Sequence, residues 1–190
     1  MNVFDFDKTI FYPDSSATFI KYCLRRYPRY FKANIGDIAS SAMRYAFSGR
    51  NDSTAMKEQL FAFLRFVPDA DALAEEFWSG HIDGIAQWYR DVHRSDDLVI
   101  SASPEFLLRP AAELLGFELI ATQMNPCSGQ IMGINCRGEE KVRRLREKYP
   151  DGVIDDFYSD SYSDAPLAKL AKRAFIVKNG NEISDWKVTK

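Results

Sequence analysis

Four short polar clusters of the chain lie where apolar runs end. They are Asp5-Phe6-Asp7-Lys8-Thr9, Ser101-Ala102-Ser103, Lys141, and Asp160 with Asp164. Carboxylates, a hydroxyl and an amine are the groups that phosphoryl transfer with a divalent metal ion requires. Each cluster alone is a weak signal, but their order and their position at strand ends together predict one site.

The first cluster has the spacing of a nucleophile and an acid/base. Side chains alternate along a strand, so Asp5 and Asp7 start on one side and Phe6 on the other. Two carboxylates this close repel each other, and Mg²⁺ relieves the repulsion while it binds water and phosphate oxygens. Asp5 can then attack phosphorus, and Asp7 can protonate the leaving alkoxide and later activate water. For a DxD pattern alone, a solvated surface turn is the alternative.

The second and third clusters suit an anion. Ser101 ends an apolar run just before a predicted helix, where a hydroxyl and backbone amides hold anions. Ser103 and Pro104 are predicted as the N-cap and first residue of that helix. Lys141 opens a basic helix, where a lysine opposes the helix dipole and therefore indicates an anionic partner. The alternatives are a plain strand-to-loop serine and a lysine on a solvated face.

The fourth cluster places two acids one helical turn apart. Asp160 ends a predicted strand, and Asp164 follows near the start of the next helix. One acid can bind a cation while the other orients its water ligands. Helix capping by Asp164, near Ser163, is the alternative.

The elements that must position these clusters predict an α/β fold. Helical periodicity from Ser16 to Tyr89, punctuated by prolines and a glycine, predicts about four inserted helices. Strand and helix alternate from residue 96 onward, which predicts a parallel sheet with its site at the carboxyl ends of the strands. Strands are predicted over 3–6, 98–100, 119–124, 153–159 and 175–177. Helices are predicted from Pro104 to the stop at Gly116 with a kink or break at Pro110, over 139–149 and over 163–174, and a loop or hairpin over 125–138.

Composition narrows the function classes. The 190 residues are 46% hydrophobic and 27% charged with a net charge of −2, so nothing indicates a nucleic-acid partner. Three widely spaced cysteines predict idle or buried thiols rather than disulfides or a zinc site. Early acidic residues argue against a signal peptide, and the apolar segment 35–47 is too short to span a bilayer. We therefore expect a cytoplasmic protein without stable membrane insertion, and leave its oligomeric state open.

Taken together, the clusters resemble the motifs of the haloacid dehalogenase (HAD) superfamily. That family carries DxDxT after the first strand, a serine or threonine after the second, a lysine, and a DxxxD pair, matched here by Asp5 to Thr9, Ser101, Lys141 and Asp160 to Asp164. The segments FDFDKT, VISASPEF and GEEKV are similar to the phosphoserine-phosphatase-like branch, subfamily IB. The resemblance implies a HAD-like Rossmannoid α/β core over 1–12 and 92–190, with an inserted helical type I cap over 13–91.

The resemblance also implies a role for each residue. Asp5 would be the phosphorylated nucleophile, and Asp7 the acid/base whose backbone carbonyl also meets Mg²⁺. Thr9 would steady the loop and belong with Ser101 and Lys141 to the phosphate-binding set, in which Ser101 and Lys141 bind the phosphoryl oxygens. The metal site would comprise Asp5, Asp7, Asp160 and the supporting Asp164. Family members that cleave carbon–halogen bonds or drive ion pumps lack the second aspartate, so Asp7 favours a phosphatase acting on a small phosphate monoester.

Several alternatives stay open at this stage. The enzyme could pass the phosphoryl group to an alcohol, act on a lipid phosphate such as a phosphatidylglycerophosphate-like ester, or be a silent binding module. Asp14 lies near the place where phosphoserine-specific relatives hold the substrate's amino group, but capping of the helix near Ser16 is favoured. A few aromatic and basic residues of the cap would suit a larger anionic ester if they face the cleft: Tyr22, Arg25, Arg26, Tyr27, Arg29, Tyr30, Arg44, Tyr45 and Arg65.

Overall fold

The computed structural model describes residues 1–33, 35–36, 39–40 and 53–187. The strands within these ranges are β1 (Val3–Phe4), β2 (Leu98–Pro104), β3 (Glu118–Thr122), β4 (Ile154–Ser159), β5 (Ala171–Lys178) and β6 (Glu182–Asp185). The helices are α1 (Ser15–Arg26), α2 (Pro28–Ala33), α3 (Ser53–Phe61), α4 (Ala70–Ser79), α5 (Gln87–Val92), α6 (Glu105–Leu115), α7 (Glu139–Lys148) and α8 (Ala165–Ala168). Short 3-10 turns cover Ala62–Phe66, Ile82–Gly84 and Tyr162–Asp164.

The strands form one sheet in the order β3-β2-β1-β4-β5-β6. All neighbours are parallel except β5 and β6. The short β1 lies at the centre, where Val3 is opposite Leu98 on one side and Phe157 on the other. Strand order reverses around β1, and such a switch point opens a crevice at the carboxyl ends of the strands. The predicted α/β class with a parallel core sheet is confirmed.

Apolar side chains pack on both faces of the sheet. One cluster contains Val3, Leu98 and Phe157 together with Leu145 and Leu167 from the helices on that face. The second cluster contains Phe4, helix α6 and the helices that follow β1. Burial on both faces explains why the parallel strands read as continuous apolar runs in the sequence.

The helical insertion is joined to the core through this second cluster. Trp78 of α4 is fully buried, and its Nε1 donates to the carbonyl of Leu107 in α6 at 2.6 Å. Its ring packs edge-on against Phe6 at 5.7 Å and Phe11 at 5.0 Å between ring centroids. The insertion therefore rests directly on the segment that carries Asp5 and Asp7.

Some predicted boundaries differ from the structure. The helix predicted over 163–174 is wrong, because only the turn Tyr162–Asp164 and α8 are helical and β5 begins at Ala171. Pairing of β5 with β4, with Ala171 opposite Ile154, overrides the local helical pattern. Strand β6 was not predicted, since its four residues are exposed and carry no apolar run.

The start of helix α6 is also corrected. Pro104 is the N-cap residue and the helix begins at Glu105, so Ser103 does not cap it. Pro110 lies inside the helix without breaking it, in a buried turn. Gly116 ends the helix in the left-handed conformation at φ 76°, as predicted.

The predicted loop over 125–138 and the apolar segment 35–47 can be compared with the structure in part. Residues between β3 and α7 form a loop in which Met124 bridges to Ile131 in antiparallel fashion. Arg44, Tyr45 and most of the apolar segment 35–47 lie outside the described residues. Within the described ranges, no helix has both the length and the apolar character needed to cross a bilayer.

Candidate active site

The loop after β1 turns the first acidic cluster toward the carboxyl edge of the sheet. The backbone amide of Asp5 donates to Tyr158 of β4 at 2.8 Å, so Asp5 still continues the strand. The chain then reverses, with the Phe6 carbonyl accepting from the amides of Ile10 and Phe11 at 3.0 Å each. Lys8 takes a left-handed conformation at φ 59° within this turn. The tight turn keeps Asp5 and Asp7 on the same edge.

Lys141 joins two acids from opposite ends of the chain. Its Nζ lies 2.7 Å from Asp5 Oδ1 and 2.8 Å from Asp164 Oδ2. The Lys141 side chain is 2% exposed, Asp5 11% and Asp164 4%, so these are buried ion pairs. Ser159 Oγ donates to the same Asp164 oxygen at 2.9 Å. The Lys141 ammonium thus connects helix α7 to the residue after β1 and to the turn after β4.

Burial and ion pairing have opposite effects on the pKa of Asp5 and on the pKa of Lys141. Burial raises the pKa of Asp5, and the Lys141 ammonium only partly offsets this because Asp164 and Asp160 add repulsion. Burial by itself lowers the pKa of Lys141, but attraction to Asp5 and Asp164 outweighs it and raises that pKa above its usual value. Two buried carboxylates therefore share a single buried ammonium, and the ionised form of Asp5 stays disfavoured.

Asp7 is held by donors on both of its carboxylate oxygens. Ser15 N donates to Oδ1 at 2.6 Å, and Ser103 Oγ donates to Oδ2 at 2.5 Å. Burial, aided by repulsion from Asp14, raises the pKa of Asp7 to about 6, while the two donors oppose the rise. A carboxyl group with such a pKa can both give and take a proton near neutral pH.

Thr9 connects the first and last motifs. Its fully buried hydroxyl accepts from the backbone amide of Asp160 at 2.9 Å. The bond fixes the loop after β1 against the loop after β4. Burial raises the pKa of Asp160, and nearby Lys8 opposes that rise.

The predicted site residues other than Thr9 line one cavity of about 310 Å³. Its lining includes Asp5, Asp7, Ser101, Lys141, Asp160 and Asp164. Thr9 is not among the described lining residues, because its buried hydroxyl is bonded to the Asp160 amide, and this corrects its place in the phosphate-binding set. Asp14 also lines the cavity, and its side chain caps α1 by accepting from Ala17 N at 2.9 Å, as favoured from the sequence. The fold brings together four clusters that are up to 159 residues apart in the chain.

Comparison with known proteins gives the family. The model of the haloacid dehalogenase-like hydrolases matches residues 3–169. The chain belongs to this family. Protein CicA of Caulobacter vibrioides is 31% identical over 183 residues, covering 88% of this chain and 81% of CicA. Histidinol-phosphatase of Neisseria meningitidis serogroup C is 24% identical over 208 residues, covering 95% of this chain and 91% of that protein.

Solved structures share the HAD fold. A protein of unknown function from Bordetella pertussis Tohama I superimposes with a TM-score of 0.74 at 23% identity, covering 92% of this chain and 87% of that chain. A probable phosphoserine phosphatase from Vibrio cholerae has a TM-score of 0.62 at 14% identity, covering 90% of this chain and 54% of that chain. The expected HAD-like architecture, similar to that of phosphoserine phosphatases, is thereby confirmed.

Several cavity residues of this HAD protein escaped the sequence analysis. Lys57 of α3 lies in the lining, and its Nζ donates to the Ala102 carbonyl at 2.6 Å and to Asn135 Oδ1 at 2.9 Å. Asn135 and Arg137 come from the loop before α7, and Met56 precedes Lys57. None of them follows a strand or forms a motif, so no local signal marks them.

The donor set fits a hard divalent cation. Within the described ranges, no three acidic, histidine or cysteine side chains gather as a ready-made ligand cluster. Mg²⁺ does not require one, because it binds through one or two carboxylates and keeps water and phosphate oxygens. Asp5 and Asp160 are among the residues that line the cavity, and their carboxylates are ligands of this kind. Burial raises the pKa of Asp5 and of Asp160, so their ionised forms are disfavoured, and a bound cation would stabilise those forms.

Proposed function

We propose that the protein is a Mg²⁺-dependent phosphomonoesterase that works through an aspartyl-phosphate on Asp5. The observation that carries this proposal is the shared cavity, in which Asp5, Asp7, Ser101 and Lys141 face one another in a HAD hydrolase. Relatives named as phosphatases, such as the histidinol-phosphatase, support the reaction class. Mg²⁺, held by Asp5, Asp160 and the Asp7 carbonyl with support from Asp164, would supply charge neutralisation for the phosphate oxygens.

The first half-reaction forms the covalent intermediate. An Asp5 carboxylate oxygen attacks phosphorus, and the bond from phosphorus to the ester oxygen breaks. Asp7 gives its proton to the departing alkoxide, so that a neutral alcohol leaves. Lys141 and Ser101 bind the phosphoryl oxygens. The 2.7 Å ion pair between Lys141 and Asp5 supports this role, because it puts a cation next to the proposed nucleophile.

The second half-reaction returns the enzyme to its starting state. Water attacks phosphorus, Asp7 takes its proton, and the bond between phosphorus and Asp5 breaks. Inorganic phosphate leaves. Asp7 suits both roles because burial raises its pKa to about 6, close to neutral pH.

The cavity also favours a class of ester. Lys57 and Arg137 add positive charge to the lining that the phosphoryl-binding groups do not use. We propose that they face the alcohol part of the substrate and favour esters whose alcohol carries a carboxylate or a second phosphate. The 310 Å³ volume suits a small-molecule ester.

The test is hydrolysis of p-nitrophenyl phosphate by the purified protein. Activity should require Mg²⁺, disappear with EDTA and return when Mg²⁺ is restored. Asp5→Asn should remove turnover, because an amide cannot form the phosphoenzyme. Normal turnover by Asp5→Asn would contradict the nucleophile assignment.

A substrate panel then separates the remaining alternatives. It comprises phosphoserine, sugar phosphates, phosphorylated hydroxy acids and a lysophospholipid. Added acceptor alcohols reveal a phosphotransferase if new esters form. A protein that neither binds Mg²⁺ nor hydrolyses any ester would be a binding module instead.

A further inference from the structure

Asp7 is clamped by donors from two parts of the chain. The Ser15 amide, in the first turn of α1, occupies one carboxylate oxygen at 2.6 Å. The Ser103 hydroxyl, from the end of β2, occupies the other at 2.5 Å. The terminal torsion of a carboxylate is soft. Two donors on opposite oxygens remove that freedom.

The hydroxyl of Ser103 has all of its bonding capacity used. It has one proton and two lone pairs, and the proton goes to Asp7. Ser15 Oγ donates to Ser103 Oγ at 3.3 Å. Ser16 Oγ lies 2.8 Å from the same oxygen, and it must be the donor because the Ser103 proton is already committed. The first turn of α1 therefore sets the direction in which Ser103 donates.

The ordinary reasons for a serine at this place do not apply to Ser103. It does not cap α6, whose N-cap residue is Pro104 with no side-chain capping bond. It is 4% exposed and is not among the described residues that line the cavity, in contrast to Ser101 and Ala102. Its backbone amide donates to Ser101 Oγ at 3.0 Å, which fixes the backbone from which the hydroxyl projects. Its side chain thus reaches the reaction only through Asp7.

We propose that Ser103 is a positioning residue that aims the Asp7 carboxyl group at the leaving oxygen, and that Ser16 of the helical insertion supports it. This inference rests on the proposed function, in which Asp7 is the acid/base. It adds that proton delivery by Asp7 depends on contact between α1 and β2, which are joined by the hydrogen bond between Ser16 and Ser103. Loss of the hydroxyl should impair proton transfer rather than phosphate binding.

The test compares phosphate esters with different leaving groups in Ser103→Ala. The parameter kcat/KM reports on the steps up to release of the alcohol. A nitrophenolate can leave without receiving a proton, whereas an alkoxide must be protonated as it leaves. For an alkyl phosphate we expect kcat/KM to fall about ten- to hundred-fold, the scale of a misaligned general acid. For p-nitrophenyl phosphate the loss should be several-fold smaller. Inhibition by inorganic phosphate should be unchanged, because Ser101 and Lys141 remain.

Two further variants separate positioning from structure. Ser103→Thr keeps a hydroxyl on the same carbon and should recover most of the alkyl phosphate activity. Ser16→Ala, at a half-buried site, should show the same leaving-group pattern with a smaller loss. The matched control is Ser79→Ala, an exposed serine at the end of α4, which should behave as wild type. Circular dichroism and thermal melts confirm folding of each variant.

Equal losses for all leaving groups in both Ser103→Ala and Ser16→Ala, or no loss in either, would overturn the positioning role. The proposed function would stand in both cases as long as wild type turns over and Asp5→Asn does not. A wild-type protein inert toward every ester would instead overturn the proposed function, and this inference with it.

Discussion

Replacement of Lys141 by methionine tests whether the buried ammonium holds the site together. Methionine fills a similar volume but removes both ion pairs, at 2.7 Å to Asp5 and 2.8 Å to Asp164. Those carboxylates are left buried beside each other without a counter-charge. Breaking a buried ion pair by removing one partner costs about 3–5 kcal/mol. For a chain of this size, about 2–4 °C in melting temperature accompanies each kcal/mol.

The assay is thermal and urea unfolding of the Lys141→Met variant in EDTA at neutral pH. The melting temperature should fall by about 6–20 °C, which is the product of the free-energy cost and the shift per kcal/mol. The matched control is Lys148→Met on the same helix, whose ammonium pairs with Glu118 at an exposed position. Exposed ion pairs contribute about 0–1 kcal/mol, so the control should lose little.

The comparison of the two variants tests whether the buried ion pairs of Lys141 stabilise the protein more than an exposed pair does. Equal stability losses in Lys141→Met and Lys148→Met would mean that the buried pair contributes no more than an exposed one. A more stable Lys141→Met variant would mean that the desolvation of Lys141 outweighs its attraction to both acids. Either result would refute the account of this ion-pair centre.

Two more predictions follow from the cavity and from the thiols. Lys57→Met should raise KM about ten-fold for esters with an anionic alcohol part and leave KM for a neutral alkyl phosphate unchanged, on the scale of about 1.4 kcal/mol per factor of ten. Burial lowers the pKa of Lys57 to about 8, so KM of wild type for the anionic ester should rise above pH 8 as the charge is lost, and that rise should be absent from the variant. Of the three free cysteines, Cys127 is exposed, while burial raises the pKa of Cys23 to about 12 and of Cys136 to about 11. A maleimide should therefore label native protein once, and rapid labelling of Cys127→Ser would contradict the burial of the other two thiols.

The α/β class and most core strands could be predicted because a strand buried on both faces must be apolar along its length. Val3–Phe4 and the start of β2 show this pattern, with every residue of Val3–Phe4 buried. The signal fails where strands are half exposed, as in β5, whose Lys172 and Arg173 face solvent and form ion pairs with Asp155 and Asp156. Its strand state depends on the neighbouring β4, which local sequence does not contain.

Some residues of the candidate site could be predicted from the sequence and others could not, for the same reason. Residues at the ends of parallel strands could be predicted, because the sheet geometry places such ends at one edge whatever the loops do. Asp5 and Asp160 are of this kind, whereas Ser101, predicted to follow β2, lies within it just before a register shift in the pairing with β3. Ser103 and Lys57 are not, because their roles come from contacts with Asp7, 96 residues away, and with Asn135, 78 residues away.

The chain therefore encodes locally which reactive groups exist and which edge of the sheet they reach. Strand alternation, apolar runs and turn residues suffice for that, since each acts over a few neighbouring positions. The packing of α1 and α3 against that edge decides which donors surround Asp7 and which cations line the cavity. Such contacts join residues that are far apart in the chain, and they form only when buried apolar surface brings the helical insertion and the sheet together.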